Sequence, residues 1–241
     1  AATTIAFPIV TIVMSVGTLL GVGGSAFAAI KLGEGNKKDA ERILNTVAGV
    51  LLVVSLCLVV LGLLFLEPIL TLFGATDATM LYSKQFGGVM IAIIPLTTYV
   101  IALANMARTD GNPRLSMRAL VGGVIINIIL APIFIFSCGW GVLGAALATA
   151  CAQAFSVCVL VWYFTKCGKM RFNKYDFFHP HRVLLNRVMA IGASSGLVQI
   201  SATILQIVFN NSLLYYGNLE TIGVDAAIGA MGIVMKVNMV F

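Results

Sequence analysis

Charge is the scarcest property of this 241-residue sequence. Fifteen Lys and Arg and nine Asp and Glu make up 10% of it, against 60% hydrophobic residues, and the mean hydropathy is +1.02. An ordinary soluble domain is about a quarter charged, so a soluble enzyme and a disordered chain are both excluded. The five cysteines (Cys57, Cys138, Cys151, Cys158, Cys167) form no CxxC pair. That excludes a zinc ribbon, a dithiol redox site and a disulfide scaffold, and leaves them as small apolar fillers. The two histidines, His179 and His181, flank a proline with no thiol or acid cluster beside them, a poor metal site. Walker, HExxH and Ser-His-Asp patterns are missing. Gly21-Val22-Gly23-Gly24 sits inside an apolar run with no strand before it, so it is no nucleotide loop.

Long uncharged runs are what the sequence has. A bilayer core of about 30 Å needs about 20 apolar residues of helix, and lipid leaves helices or closed barrels as the only spanning forms. Short alternating strands are absent, so the fold class is all-α, a polytopic transmembrane helix bundle. Helices are expected at roughly 3–31, 43–66, 81–107, 115–137, 141–165, 186–216 and 222–241, with a tight turn at Ser137-Cys138-Gly139-Trp140-Gly141. The first run has no basic n-region and is too long for a signal peptide.

Thirteen of the fifteen basic residues fall in three connections: Lys31 to Arg42, Arg108 to Arg118, and Lys166 to Arg187. The alternate connections carry Glu67 and Asp77, then nothing, then Glu220. Basic loops face the cytoplasm, so the first helix runs from outside to inside and the basic runs meet the inner leaflet. No aromatic-basic module suggests nucleic acid. An outside start without a signal, and an end inside an apolar run, mark a fragment that lacks at least one helix before Ala1 and others after Phe241.

Polar residues within spans tend to face a cavity or a neighbouring helix. Here they are amides and hydroxyls: Asn105, Asn127, Thr149 and Gln153, then Gln199, Ser201, Thr203, Gln206, Asn210 and Asn211. Gln199, Gln206 and Asn210 share one helix face. Every acid lies in a loop or near a helix end, so no carboxylate relay crosses the membrane here. Lys236 is the one ionisable group deep in a span. Pro95 falls mid-helix and should kink it. Small residues at four-residue spacing (Gly17, Gly21, Ser25, Ala29; Gly144, Ala148, Ala152) allow close helix approach.

Four segments carry a family resemblance. Leu32-Gly33-Glu34-Gly35-Asn36, followed by Ala40, resembles the LG-x-G-[ND]-x-x-x-A signature of multidrug and toxic compound extrusion (MATE) transporters. Asn105 to Pro113 resembles that family's N-x-x-R-x-x-G-N-P segment. Asn127 to Pro132 resembles N-x-x-x-D-P, and Gly141 to Thr149 resembles G-x-x-G-A-A-x-A-T. The resemblance implies a two-lobe architecture of the MOP superfamily. Residues 1–165 would be N-lobe helices 2–6, 166–187 the cytoplasmic inter-lobe linker, and 188–241 the start of the C-lobe. It also implies multidrug or organic cation efflux by H⁺ or Na⁺ antiport, from a bacterial cytoplasmic membrane, with small cationic or amphipathic drugs as partners and no cofactor beyond the coupling ion. Asn127 and Thr149 would line the N-lobe pocket, with Asn105 near it. One departure stands out: the motif's carboxylate position, on the same face as Asn127, holds Ala131. A lipid-linked saccharide flippase of the same superfamily is the alternative, disfavoured because Lys236 is the only candidate cavity cation. A membrane enzyme would need acids, His or Cys converging at one membrane depth, which the acids do not provide; a purely structural or receptor-like bundle is the remaining non-transport reading. Nothing in the sequence sets the number of copies.

Overall fold

The computed structural model describes residues 7–72, 77–137, 139–178 and 181–217. Within them, nine α-helices follow one another: α1 (Phe7–Gly33), α2 (Lys37–Leu64), α3 (Leu66–Leu72), α4 (Asp77–Ala92), α5 (Ile94–Thr109), α6 (Pro113–Pro132), α7 (Gly141–Lys166), α8 (Lys174–Phe178) and α9 (Arg182–Gly217). The described residues contain no strand. Five of these helices are long and apolar enough to cross a bilayer, and α4 with α5 makes a sixth, broken span. The expected helix at 222–241 lies outside the described residues.

Two turns at the basic end share one design. Gly35 takes φ +76° and Gly111 takes φ +91°, a backbone region open mainly to glycine. Each is followed by an asparagine that caps the next helix. The Asn36 side chain accepts from the Asp39 N–H at 3.2 Å, and the Asn112 side chain from the Leu115 N–H at 3.2 Å. Capping explains why α2 starts at Lys37 and not at the expected 43. Its charged first turns are helical because they pair along the helix, Lys37 with Glu41 and Arg42 with Asp39.

The expected helix over 81–107 is two helices that meet at Ile93 with a bend of 49°. Pro95 sits in the first turn of α5, where its missing N–H leaves the preceding turn one hydrogen bond short. At the other end of the bundle, α6 closes at Pro132 into a π-helical turn over Ile133–Ser137. The connection over 166–187, expected as linker, holds the short helix α8, and α9 begins at Arg182.

Among the described residues, the larger buried cluster lies toward the basic end. It brings together Ile43, Leu44 and Leu51 of α2, Leu103 and Met106 of α5, and Leu160 and Phe164 of α7, with Met170 and Val188 beyond them. A smaller cluster of Val13, Leu70, Ile91 and Ile94 lies toward the opposite end. α9 runs along α1 with almost no side chain between them at the closest point. A Cβ on Gly192 would collide with the Leu19 carbonyl oxygen, and one on Gly23 with the Val188 carbonyl oxygen. The outside of the bundle is apolar: Leu64, Ile128 and Val198 are each more than 60% exposed. A belt of that kind is unsustainable in water and suits lipid. The four described cysteines, Cys57, Cys151, Cys158 and Cys167, are exposed on this surface. They therefore do not fill the core as expected, because the bundle interior is packed by Leu, Ile, Ala and Phe instead.

Candidate functional site

A cavity of about 210 Å³ opens between α5, α6 and α7. Its apolar wall is Val100, Leu120, Val124 and Ala152, with Gly123 where α6 and α7 come close. Its polar wall is Asn127, Thr149, Gln153 and Ser156. Three of the residues expected from sequence therefore meet here, brought together by two antiparallel helices.

The polar groups are ordered among themselves. Thr149 Oγ1 donates to the Ala145 carbonyl one turn back at 3.0 Å, and accepts from Asn127 Nδ2 at 3.1 Å. With one Nδ2 hydrogen given to Thr149, Asn127 stands on the cavity wall as a neutral amide. Ser156 Oγ, which the sequence did not single out, bonds the Ala119 carbonyl at 2.9 Å and the Ala152 carbonyl at 3.1 Å. It fastens α7 to α6 at the cavity floor. Such a wall offers neutral oxygen acceptors and amide donors to a polar or cationic solute. It holds no acid or base of its own.

Ala131 lies one helical turn beyond Asn127 and is half-buried. No carboxylate is among the residues that line the cavity. Asn105 is elsewhere. Its Nδ2 donates to the Ile101 carbonyl at 2.9 Å, and its Oδ1 takes a bond from Arg108 at 3.5 Å, turned toward the basic end. Gln199 sits half-buried on α9, apart from this cavity; its backbone carbonyl accepts from Thr203 Oγ1. The backbone of Gln206 and Asn210 belongs to α9, but their side chains, and Lys236 altogether, lie outside the described residues. Among the described residues, no group of His, Cys, Asp and Glu could hold a metal ion.

Two polar residues not singled out from sequence tie the post-α7 connection to the basic end. Asp110 caps the end of α5 and is 2% exposed. Its carboxylate accepts from the Tyr163 hydroxyl at 2.7 Å, the Lys169 N–H at 2.8 Å and the Met170 N–H at 2.9 Å. Asn45 of α2, fully buried, donates to the Arg171 carbonyl at 3.1 Å and accepts from the Asn173 N–H at 2.9 Å. The segment 169–173 is thus held on both sides by the first five helices.

Comparisons with known proteins place this architecture. The MatE family model matches residues 1–133. The multidrug export protein MepA of Staphylococcus aureus (strain MRSA252) is 28% identical over 219 residues, covering 90% of this chain and 48% of its own length. MepA of Staphylococcus haemolyticus is 28% identical over 217 residues with the same coverage. The chain spans about half the length of these relatives. Among solved structures, the MATE multidrug transporter DinF-BH, in complex with a ligand, superposes with a TM-score of 0.90 at 30% identity, covering 99% of this chain and 52% of that one. An inward-facing MATE family transporter of the MOP superfamily gives 0.89 at 23% identity, covering 99% and 53%, and supports the fold.

Proposed function

Because this chain belongs to the MatE family, we propose that it supplies helices 2–6 of one lobe and the beginning of a second in a secondary-active exporter of cationic or amphipathic drugs. On this reading the transporter works in a bacterial cytoplasmic membrane, with the basic end inward. The observation that carries the reading is the ordered Asn127–Thr149 pair and Gln153 on the wall of one cavity in an otherwise apolar bundle. Polar groups kept at membrane depth need a use or a partner. Here Asn127 and Thr149 bond each other, and both line the cavity.

The coupling ion, H⁺ or Na⁺, would favour one of two lobe arrangements by binding it more tightly. Substrate would enter from the basic side and leave from the other as the lobes rock. With Ala131 at the motif's carboxylate position, the described cavity contributes neutral ligands, and the charge that binds the coupling ion would be supplied elsewhere in the full protein.

Ethidium, a planar fluorescent cation, is a suitable probe for a neutral, oxygen-lined pocket. The full-length protein in liposomes should move ethidium when a proton or a sodium gradient is imposed. Asn127→Ala and Thr149→Val should each lower transport by roughly tenfold, the effect of one or two neutral hydrogen bonds. Absence of flux of ethidium or any other cationic dye under both gradients would refute the reading.

A further inference from the structure

A second opening lies on α6, on the side turned away from the cavity that holds Asn127. It is a groove of about 500 Å³ lined by Arg114, Met117, Arg118, Val121, Gly122 and Ile125. At roughly 100° per residue, Arg118 and Ile125 point about 160–180° round the helix from Asn127. They therefore face outward. Met117, Val121 and Ile125 are 68%, 47% and 51% exposed, and Gly122 leaves a notch backed by the Phe155 ring of α7, whose nearest atom would stand 2.7 Å from an added Cβ.

Among the described residues, the two arginines share with Lys38, Lys166, Lys169, Arg171, Arg182 and Arg187 the lack of an ion pair, and are set apart by their place on the groove. Lys31, Lys37 and Arg42 each face a carboxylate at 2.7–3.8 Å, and Arg108 bonds Asn105. Among the described residues, neither Arg114 nor Arg118 has an acidic partner. They lie one helical turn apart at the exposed surface, and Arg118 is the last charge on α6 before its apolar stretch. Paired guanidiniums without counterions, directly above an apolar furrow, complement one kind of molecule: an anion with a hydrocarbon tail.

We propose that this groove binds an anionic phospholipid of the leaflet at the basic end. The phosphodiester sits against Arg114 and Arg118, where a guanidinium fork matches phosphate oxygens. One acyl chain follows Val121 and Ile125 past the Gly122 notch. Each basic residue near an anionic leaflet is worth about a fivefold preference, so the pair should favour anionic over zwitterionic lipid by up to about 30-fold. The proposal concerns lipid binding and does not depend on transport.

The test uses the full-length protein, released for native mass spectrometry from bilayers of equal phosphatidylglycerol and phosphatidylcholine. The native protein should retain phosphatidylglycerol preferentially. Arg114→Gln/Arg118→Gln should lose most of that preference, and each single change about fivefold of it. Lys37→Gln/Lys38→Gln, elsewhere on the same end, should leave it unchanged. If the double variant does not fold, the single variants decide the matter. Equal retention of both lipids by the native protein, or undiminished preference in the arginine variants, would overturn the proposal. So would displacement of the lipid by millimolar inorganic phosphate, which would make this a site for the free anion.

Discussion

Asp110→Ala should release the segment after α7 from the bundle. The carboxylate holds three donors: the Tyr163 hydroxyl and the Lys169 and Met170 N–H groups. The bonds to Tyr163 and Met170 are buried, and that to Lys169 is partly so. A buried donor left without an acceptor costs about 1–3 kcal/mol. The tyrosine hydroxyl can rotate toward another acceptor and the Lys169 amide can reach water, so the lower bound is the Met170 amide with part of a second, about 2 kcal/mol. With all three orphaned at a mid-range of about 2 kcal/mol each, the cost is about 6 kcal/mol. In hydrogen exchange of the full-length protein, a peptide spanning 167–173 should then exchange about 30-fold to 20,000-fold faster, while peptides in α2 and α6 change little. Asp110→Asn keeps one acceptor oxygen and should fall at the low end of that range. Unchanged protection of the Lys169 and Met170 amides in Asp110→Ala would refute the assignment of this carboxylate as their anchor.

Asn45→Ala, which frees the Arg171 carbonyl and the Asn173 N–H, should cost about 1–3 kcal/mol and combine with Asp110→Ala less than additively in the same exchange measurement, because both pin one segment. Gly192→Ala should lower the melting temperature of the purified protein, by about 1–3 kcal/mol or more of stability, since its Cβ meets the Leu19 backbone; Gly33→Ala, where nothing lies within 4 Å, should stay within about 0.5 kcal/mol. Pro95→Ala restores a backbone donor at the break between α4 and α5, and spin labels flanking Ile93 should report a bend smaller than 49°.

The all-helical class and the spans were legible because lipid length and hydropathy leave few alternatives. Asn127, Thr149 and Gln153 were legible as polar residues within apolar runs, the first two also by their place in the motifs of adjacent helices. Asp110 was not. A single acid in a basic loop looks solvated until the fold shows that two backbone amides, about sixty residues away, converge on it. Only its neighbour Gly111, at φ +91°, hints at a built turn. The start of α2 was misjudged for a related reason: charges were taken as loop, whereas Asn36 caps a helix whose charges pair along its surface. The short helices α3 and α8 carry too few residues for periodicity to register.

The contact between α1 and α9 has a mechanical consequence. Where Gly23 and Gly192 meet, main chain lies directly on main chain, with no interlocked knobs to withdraw. Two rods joined in this way can separate and reseal without searching for rotamers. Any larger residue on either surface would act as a wedge, holding the joint ajar.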